Sequence, residues 1–276
     1  MVKVNEILMS TRYTLQARRK VALFNIKQSL KGSNTRMCFD ATNDAFLVTE
    51  GNQRRYFRML TRGLKMYRKG LQHEGQQLFN AYCLNEIEFT ADDIVIDCGA
   101  NFGSLFLSLS KFITEENYIT FEPSYDEHYC LTKSIPNANH KHMALADSNQ
   151  TRQFFVSSEK ADSSLIEPLH YTHAVEIECI SLDTFLESSD IEKIKLLKLE
   201  AEGFEPEILL GARRSLSKIE YVAIDGGPER GLREEETFTT LSNALIGADF
   251  EMTQVNFKGY RALFRNRRFS ENIEAN

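Results

Sequence analysis

The stretch from Asp92 to Phe112 reads DDIVIDCGANFGSLFLSLSKF. An apolar run ends in Asp97, Gly99 and Gly103 follow on either side of Asn101, and apolar residues then recur at helical spacing. Glycines at a strand-to-helix turn carry no Cβ, so backbone N–H groups can approach a ligand closely. A dinucleotide turn would read G-x-G-x-x-G and offer its amides to pyrophosphate. Here the order is D-x-G-x-N-x-G. A carboxylate repels pyrophosphate and attracts an ammonium. The charge therefore favours a ligand with an amino-acid moiety and no phosphate, and S-adenosylmethionine has both properties. Glu122, in FEP, follows 25 positions after Asp97, where a carboxylate can accept both hydroxyls of a ribose.

A second acidic group lies in KLEAEGFEP. Glu200 and Glu202 alternate around Ala201 and project to similar sides if the chain stays extended. Two neighbouring carboxylates raise one pKa, which suits a base working near neutrality. The other role open to Glu202 is to order the loop by accepting backbone N–H bonds. His170 and His173, in EPLHYTHAVE, offer imidazoles that act either as a base or as solvated loop residues. Asp225 and Arg230 share the glycine-rich DGGPERG, where Arg230 meets an anionic substrate group or a surface partner. His128, His140 and His142 form no metal-spaced set with acids, so no metal is assigned, although Asp225 leaves a magnesium-assisted route open.

These residues need elements to position them. IVIDCG (94–99), YITFEP (118–123), NHKHMAL (139–145), the strand within 191–203 and IEYVAIDGG (219–227) read as five core strands. Helices are expected over 104–113, 125–135, 206–216 and 234–248, with Pro206 in a first turn. RQFFVSS (152–158) and VEIECISL (175–182) read as two accessory strands, and 249–266 as a hairpin turning near Lys258-Gly259. Strands alternating with helices imply an α/β fold with a mostly parallel sheet covered on both faces. Before it, residues 11–31 read as a helix, 38–52 as a short hairpin or loop, and 53–87 as helices broken near Gly63, Gly70 and Gly75. The expected organisation is a helical N-terminal subdomain over 1–90, contacting substrate or partner, a cofactor-binding domain over 91–268 and a tail over 269–276.

In this order, VIDCGANFG, FEP, SLDTF (181–185) and KLEAEGFEPEILLGA (198–212) resemble the FkbM family of methyltransferases, over about residues 85–225. The resemblance implies a Rossmann-like class I methyltransferase fold, S-adenosylmethionine as cofactor, and transfer of its methyl to a hydroxyl of a sugar, glycan or natural product. It carries Asp97, Gly99, Ala100, Asn101 and Gly103 over as the cofactor turn and Glu122 as the ribose ligand. Ala144 and Leu145 would flank the adenine, with Asp147 either accepting from the adenine amino group or capping a turn. Ser163 and Ser164 fall where the family tends to carry serines near its active site. The family usually has Asp where Glu200 stands, and the longer side chain reaches one methylene further.

Composition narrows the alternatives. The 276 residues hold 42% hydrophobic and 26% charged residues, ordinary for a folded α/β protein. No apolar run reaches a membrane-spanning length, the N-terminus has no signal-peptide h-region, and Cys38, Cys83, Cys98, Cys130 and Cys179 show no C-x-x-C, all of which fit a reducing cytoplasmic setting. Residues 1–80 hold 15 Lys and Arg against 5 Asp and Glu, while the rest holds 18 against 34. The basic part is either a solvated face or a contact for an anionic membrane surface or lipid-linked glycan. It lacks an RNA-binding signature, so no nucleic acid is expected. Two other functions compete: a non-catalytic binding module in glycan assembly, kept open by Glu200, and a nicotinamide oxidoreductase, disfavoured by the glycine spacing and the terminal hairpin. The acceptor and the oligomeric state are not legible.

Overall fold

The computed structural model describes residues 12–157 and 163–269; the expectations for residues 1–11, for Ser158 at the end of the first accessory strand and for 270–276 lie outside them. The N-terminal part contains α1 (Leu15–Leu30), β1 (Arg36–Asp40), β2 (Ala45–Glu50), β3 (Gln53–Phe57), α2 (Leu60–Met66) and α3 (Leu71–Ala81). The three strands form an antiparallel meander. Helix was expected from residue 53, but Gln53–Phe57 is a strand. Gly51 (φ 58°) closes a tight turn that pairs Glu50 with Gln53. The charged run QRRYF hid this, because buried Arg55 faces inward.

The main sheet is built from β4 (Val95–Cys98), β5 (Tyr118–Phe121), β6 (Asn139–Lys141), β10 (Ile194–Leu199), β11 (Ile219–Asp225), β14 (Phe250–Asn256) and β15 (Arg261–Asn266). Its order is β14-β15-β11-β10-β4-β5-β6. All neighbouring pairs from β11 to β6 are parallel, and β15 and β14 add as the antiparallel hairpin. The chain runs outward from β4 through β5 to β6, then returns to the other side of β4 as β10. That reversal leaves a crevice beyond the carboxyl ends of β4 and β10, where open α/β sheets bind ligands.

Alternation along the strands divides the core. Ile96, Ile119, Leu197, Val222 and Ile224 pack on one face with α6 (Leu182–Glu187), α7 (Glu205–Leu210) and α8 (Phe238–Gly247). Val95, Tyr118, Leu196, Tyr221 and Leu263 pack on the other with Phe79 of α3, Phe106 of the short α4 (Phe106–Leu109) and Leu131 of α5 (Tyr125–Ser134). Phe102, Leu107 and Cys130 belong to a third cluster, whose other members, among them Val21, Phe24, Phe46 and Phe57, come from the N-terminal elements.

The expected third strand splits in two. Residues 139–141 remain at the sheet edge, while β7 (Ala144–Leu145) enters a second sheet of order β7-β9-β8, with β8 at Gln150–Val156 and β9 at His173–Ile180. After β11 a two-stranded ribbon forms from β12 (Pro228–Arg230) and β13 (Glu235–Glu236), so the helix expected from residue 234 begins only at Phe238.

Candidate active site

The glycine turn is held from three directions. Gly99, Asn101 and Gly103 have φ of 74°, 53° and 74°. A Cβ on Gly99 would lie 2.0 Å from the Glu200 carbonyl oxygen, so β4 and β10 meet backbone to backbone. The Gly99 and Ala100 amides donate to Phe121 O at 2.9 and 3.3 Å. Arg55 donates Nε and Nη2 to Gly103 O at 3.0 and 2.7 Å, fastening the N-terminal sheet to the turn. Burial pushes that guanidinium down to about 10.

Glu122, at the end of β5, closes the turn from the side. Its Oε2 accepts from Asn101 N at 2.8 Å and its Oε1 from Ser124 N at 2.9 Å. Burial, with help from nearby Glu127, pushes its carboxyl up to about 7 against those two bonds.

Asp97 is fully buried beneath the turn and stays off the cavity wall. It accepts from the Tyr118 hydroxyl and lies 3.1 Å from Lys198 Nζ. The β4–β10 register sets Lys198 opposite Asp97. Lys198 Nζ also donates to Cys98 O at 3.1 Å and Gly99 O at 2.9 Å, and pairs with Glu200 Oε2 at 2.6 Å. Burial disfavours its charge, but Asp97 and Glu200 more than offset that and raise its pKa. Glu200 does line the cavity. Burial opposes its ionisation, yet Lys198 and then Arg261 hold its carboxyl below the usual range. Arg261 Nη2 sits 2.5 Å from Asp225 Oδ2 and 3.7 Å from Glu200 Oε1, with its guanidinium 4.9 Å from the Tyr82 ring centroid. Asp225 is pushed up by burial and then by Glu200, with Arg261 opposing.

The exit of β10 is ordered by a residue that sequence reasoning missed. Glu205 is buried; its Oε1 accepts from Ala201 N at 2.6 Å and Gly203 N at 3.2 Å, and its Oε2 from Thr237 Oγ1 at 3.2 Å. Burial raises its pKa to about 7. The tight loop places Glu202 at φ 51°, a left-handed conformation uncommon outside glycine. Ser164 Oγ donates to Glu202 O at 2.9 Å. The Glu202 side chain hydrogen-bonds Glu229, whose carboxyl is raised to about 7 by burial and then by Asp225. Arg230 donates to Glu207 through both Nη atoms, at 2.9 and 2.6 Å, and to Gly203 O. It is thereby engaged within the protein.

A cavity of about 290 Å³ lies over these strand ends. It brings together Gly99, Asn101, Glu122, Ala144, Leu145, Ser163, Glu200 and Glu202. Arg62 and Met66 of α2 and Glu74 and Leu78 of α3 supply a further wall that the sequence did not reveal. Several expected residues stand off it. Ala100, Gly103 and Ser164 are buried behind it, and Asp225 and Arg230 are held as described. Asp147 pairs with Arg152 and does not face the cavity. His170 is exposed in the loop before β9, and His173, the first residue of β9, borders a separate groove of about 430 Å³. Among the described residues no group of three or more His, Cys, Asp or Glu is arranged to hold a metal.

The chain is similar to the following known proteins. The family model described as the methyltransferase FkbM domain matches residues 97–269. A hexuronic acid methyltransferase, AglP, of Haloferax volcanii is 28% identical over 192 residues, which make up 66% of this chain and 73% of that protein. Among solved structures, a methyltransferase FkbM from Methylobacillus flagellatus is 14% identical with a TM-score of 0.45. That match covers 75% of this chain, which spans only 59% of the other's length. Fibrillarin from Aeropyrum pernix, solved with natively bound S-adenosyl-L-methionine, is 12% identical with a TM-score of 0.40, covering 80% of this chain and 92% of that one.

Proposed function

The chain belongs to the FkbM family of methyltransferases, and we propose that it transfers the methyl group of S-adenosylmethionine to a hydroxyl of a sugar within a glycan. The observation that carries the cofactor part of this reading is the acidic lining of the cavity. Beyond the carboxyl ends of β4, β5 and β10, Glu74, Glu122, Glu127, Glu200 and Glu202 face it against Arg62 as the basic residue. Such a wall suits a ligand with a sulfonium and an ammonium and opposes the pyrophosphate of a nicotinamide cofactor. When bound, the cofactor supplies an activated methyl on a sulfonium.

The residues divide the remaining work. Gly99 and Asn101 keep the turn close to the ligand, and Glu122 holds the turn while presenting a carboxyl to a ribose. Ala144 and Leu145 offer an apolar surface to the adenine. Glu200 stays ionised between Lys198 and Arg261 and contributes negative potential where positive charge is bound. A hydroxyl acceptor must also lose a proton. Glu202, on the cavity wall and hydrogen-bonded to Glu229, is the group we assign to receive it. A carboxylate that shares a hydrogen bond with Glu229, whose pKa is raised to about 7, can pass a proton on at working pH, whereas Glu200, held ionised by Lys198 and Arg261, is a weaker base. The similarity to a methyltransferase named for hexuronic acid supports a sugar as the acceptor.

Calorimetric titration with S-adenosylhomocysteine and with NADH tests the cofactor. Binding of the first and not the second is expected, and the reverse overturns the reading. Methyl-labelled product from a uronic-acid-containing glycan then tests the bond formed. An ether on a hydroxyl survives mild alkali, whereas label released as methanol would show transfer to the carboxylate.

A further inference from the structure

Helix α1 carries apolar residues on two opposite sides. Ala17, Val21, Phe24 and Gln28 are buried, and the first three join the N-terminal core. Leu15, Leu23, Ile26 and Leu30 point outward and are 55–82% exposed. At about 100° per residue, these four fall within an arc of about 80°, on the side of the helix opposite the buried four. Single exposed leucines are ordinary, but four in one stripe on one helix are not. The stripe is bordered by Arg18 on one side and by Lys20 and Lys27 on the other, with Arg19 inside it. Between Glu6 and Asp40 the sequence has seven basic residues and no acidic one.

We propose that the outer face of α1 is a docking surface for an anionic phospholipid bilayer. The exposed aliphatic stripe would enter the headgroup boundary while the flanking cations meet lipid phosphates, the arrangement of helices that lie in the plane of a membrane. A second copy of this chain is a poor occupant, because a two-fold contact through this face would bring the cations Arg18, Arg19 and Lys27 of one copy close to those of the other. Among the described residues no helix is long and apolar enough to cross a membrane, so the contact is peripheral. The inner residues anchor the helix: Asn25 exchanges two hydrogen bonds of 2.8 Å with Met37, and Gln28 Nε2 donates to Arg68 O at 2.9 Å. The face is therefore presented rigidly.

The test is co-sedimentation of the full chain with phosphatidylcholine vesicles, with and without phosphatidylglycerol, at low and raised salt. Binding should require phosphatidylglycerol and weaken with salt. The pair Leu23→Glu and Ile26→Glu, and separately the triple change of Arg18, Arg19 and Lys27 to Gln, should each weaken it about tenfold or more. All five positions are exposed, so unchanged circular dichroism and thermal midpoint should accompany the loss. No binding by the native chain overturns the proposal, as does binding indifferent to both sets. So does sedimentation velocity showing a dimer that Ile26→Glu dissociates, which would assign the stripe to a second copy.

Discussion

Lys198 Nζ lies 2.6 Å from Glu200 Oε2 and 3.1 Å from Asp97 Oδ1, joining a carboxylate on the cavity wall to one buried beneath the glycine turn. The same ammonium holds the carbonyls of Cys98 and Gly99. One buried cation thus fixes the turn, the end of β10 and the charge state of Glu200. Lys198→Met would strand two carboxylates with little solvent, at a cost of about 3–5 kcal/mol, read by urea denaturation. Adding Asp97→Asn should restore part of the loss. Stability unchanged in Lys198→Met would refute this account of the site.

Glu122 has two tasks that substitution can separate. Glu122→Gln keeps an oxygen to accept one backbone amide, whereas Glu122→Ala releases both Asn101 and Ser124. We expect S-adenosylhomocysteine to bind about tenfold or more weakly to Glu122→Ala and less weakened to Glu122→Gln. Calorimetry reads both. Equal affinity in all three proteins would remove Glu122 from the ligand site.

Methyl transfer should rise with pH through about 7, because the Glu202–Glu229 pair must be deprotonated to accept the acceptor's proton. Of the groups facing Glu229, Asp225 and Glu200 favour its protonated form, while the hydrogen bond from Glu202 and the charge of Arg261 oppose them. Glu229→Gln removes the carboxyl that titrates near 7, so the acidic limb of the kcat profile should no longer sit there. A limb that stays in place in both Glu229→Gln and Glu202→Gln would exclude the pair.

Glu205 makes a stability claim with a definite sign. Its folded pKa of about 7 exceeds its ordinary 4.5, so the folded state binds more protons between those values. Its contribution is fully favourable below about 4.5 and is lost as pH rises towards 7. Thermal midpoints of the native chain should therefore fall relative to Glu205→Gln across that window. Glu205→Ala, which removes the acceptor for Ala201 N and Gly203 N, should be destabilised at every pH, by about 2 kcal/mol or more.

Arg55 should prove to be the fastening between the N-terminal sheet and the cofactor turn. Arg55→Met leaves Gly103 O without its two charged donors and should cost about 2–3 kcal/mol. Limited proteolysis should then cut within residues 36–57 before it cuts the main sheet.

Apolar runs and glycine spacing determined the strand-helix alternation, the turn after Asp97 and the hairpin at the end, since backbone sterics and burial period are local properties. Glu122, Glu200 and Glu202 stood out in the sequence as acids at or just beyond the ends of β5 and β10, and strand ends converge in a parallel sheet. Only the tertiary structure decided which carboxylates face the cavity. Asp97 and Glu200 look alike in sequence, yet the β4–β10 register sets Asp97 opposite Lys198 and buries it, while Glu200, two residues beyond Lys198, reaches the cavity wall. Arg55 and Glu205 drew no reading from the sequence because their partners, the Gly103 carbonyl and the amides at 201 and 203, are backbone groups that leave no mark on composition. For α1, apolar residues on both faces cancelled any amphipathic signal. The choice between inside and outside fell to the sheet packed against Val21 and Phe24, because a helix shows its buried side only once something covers it.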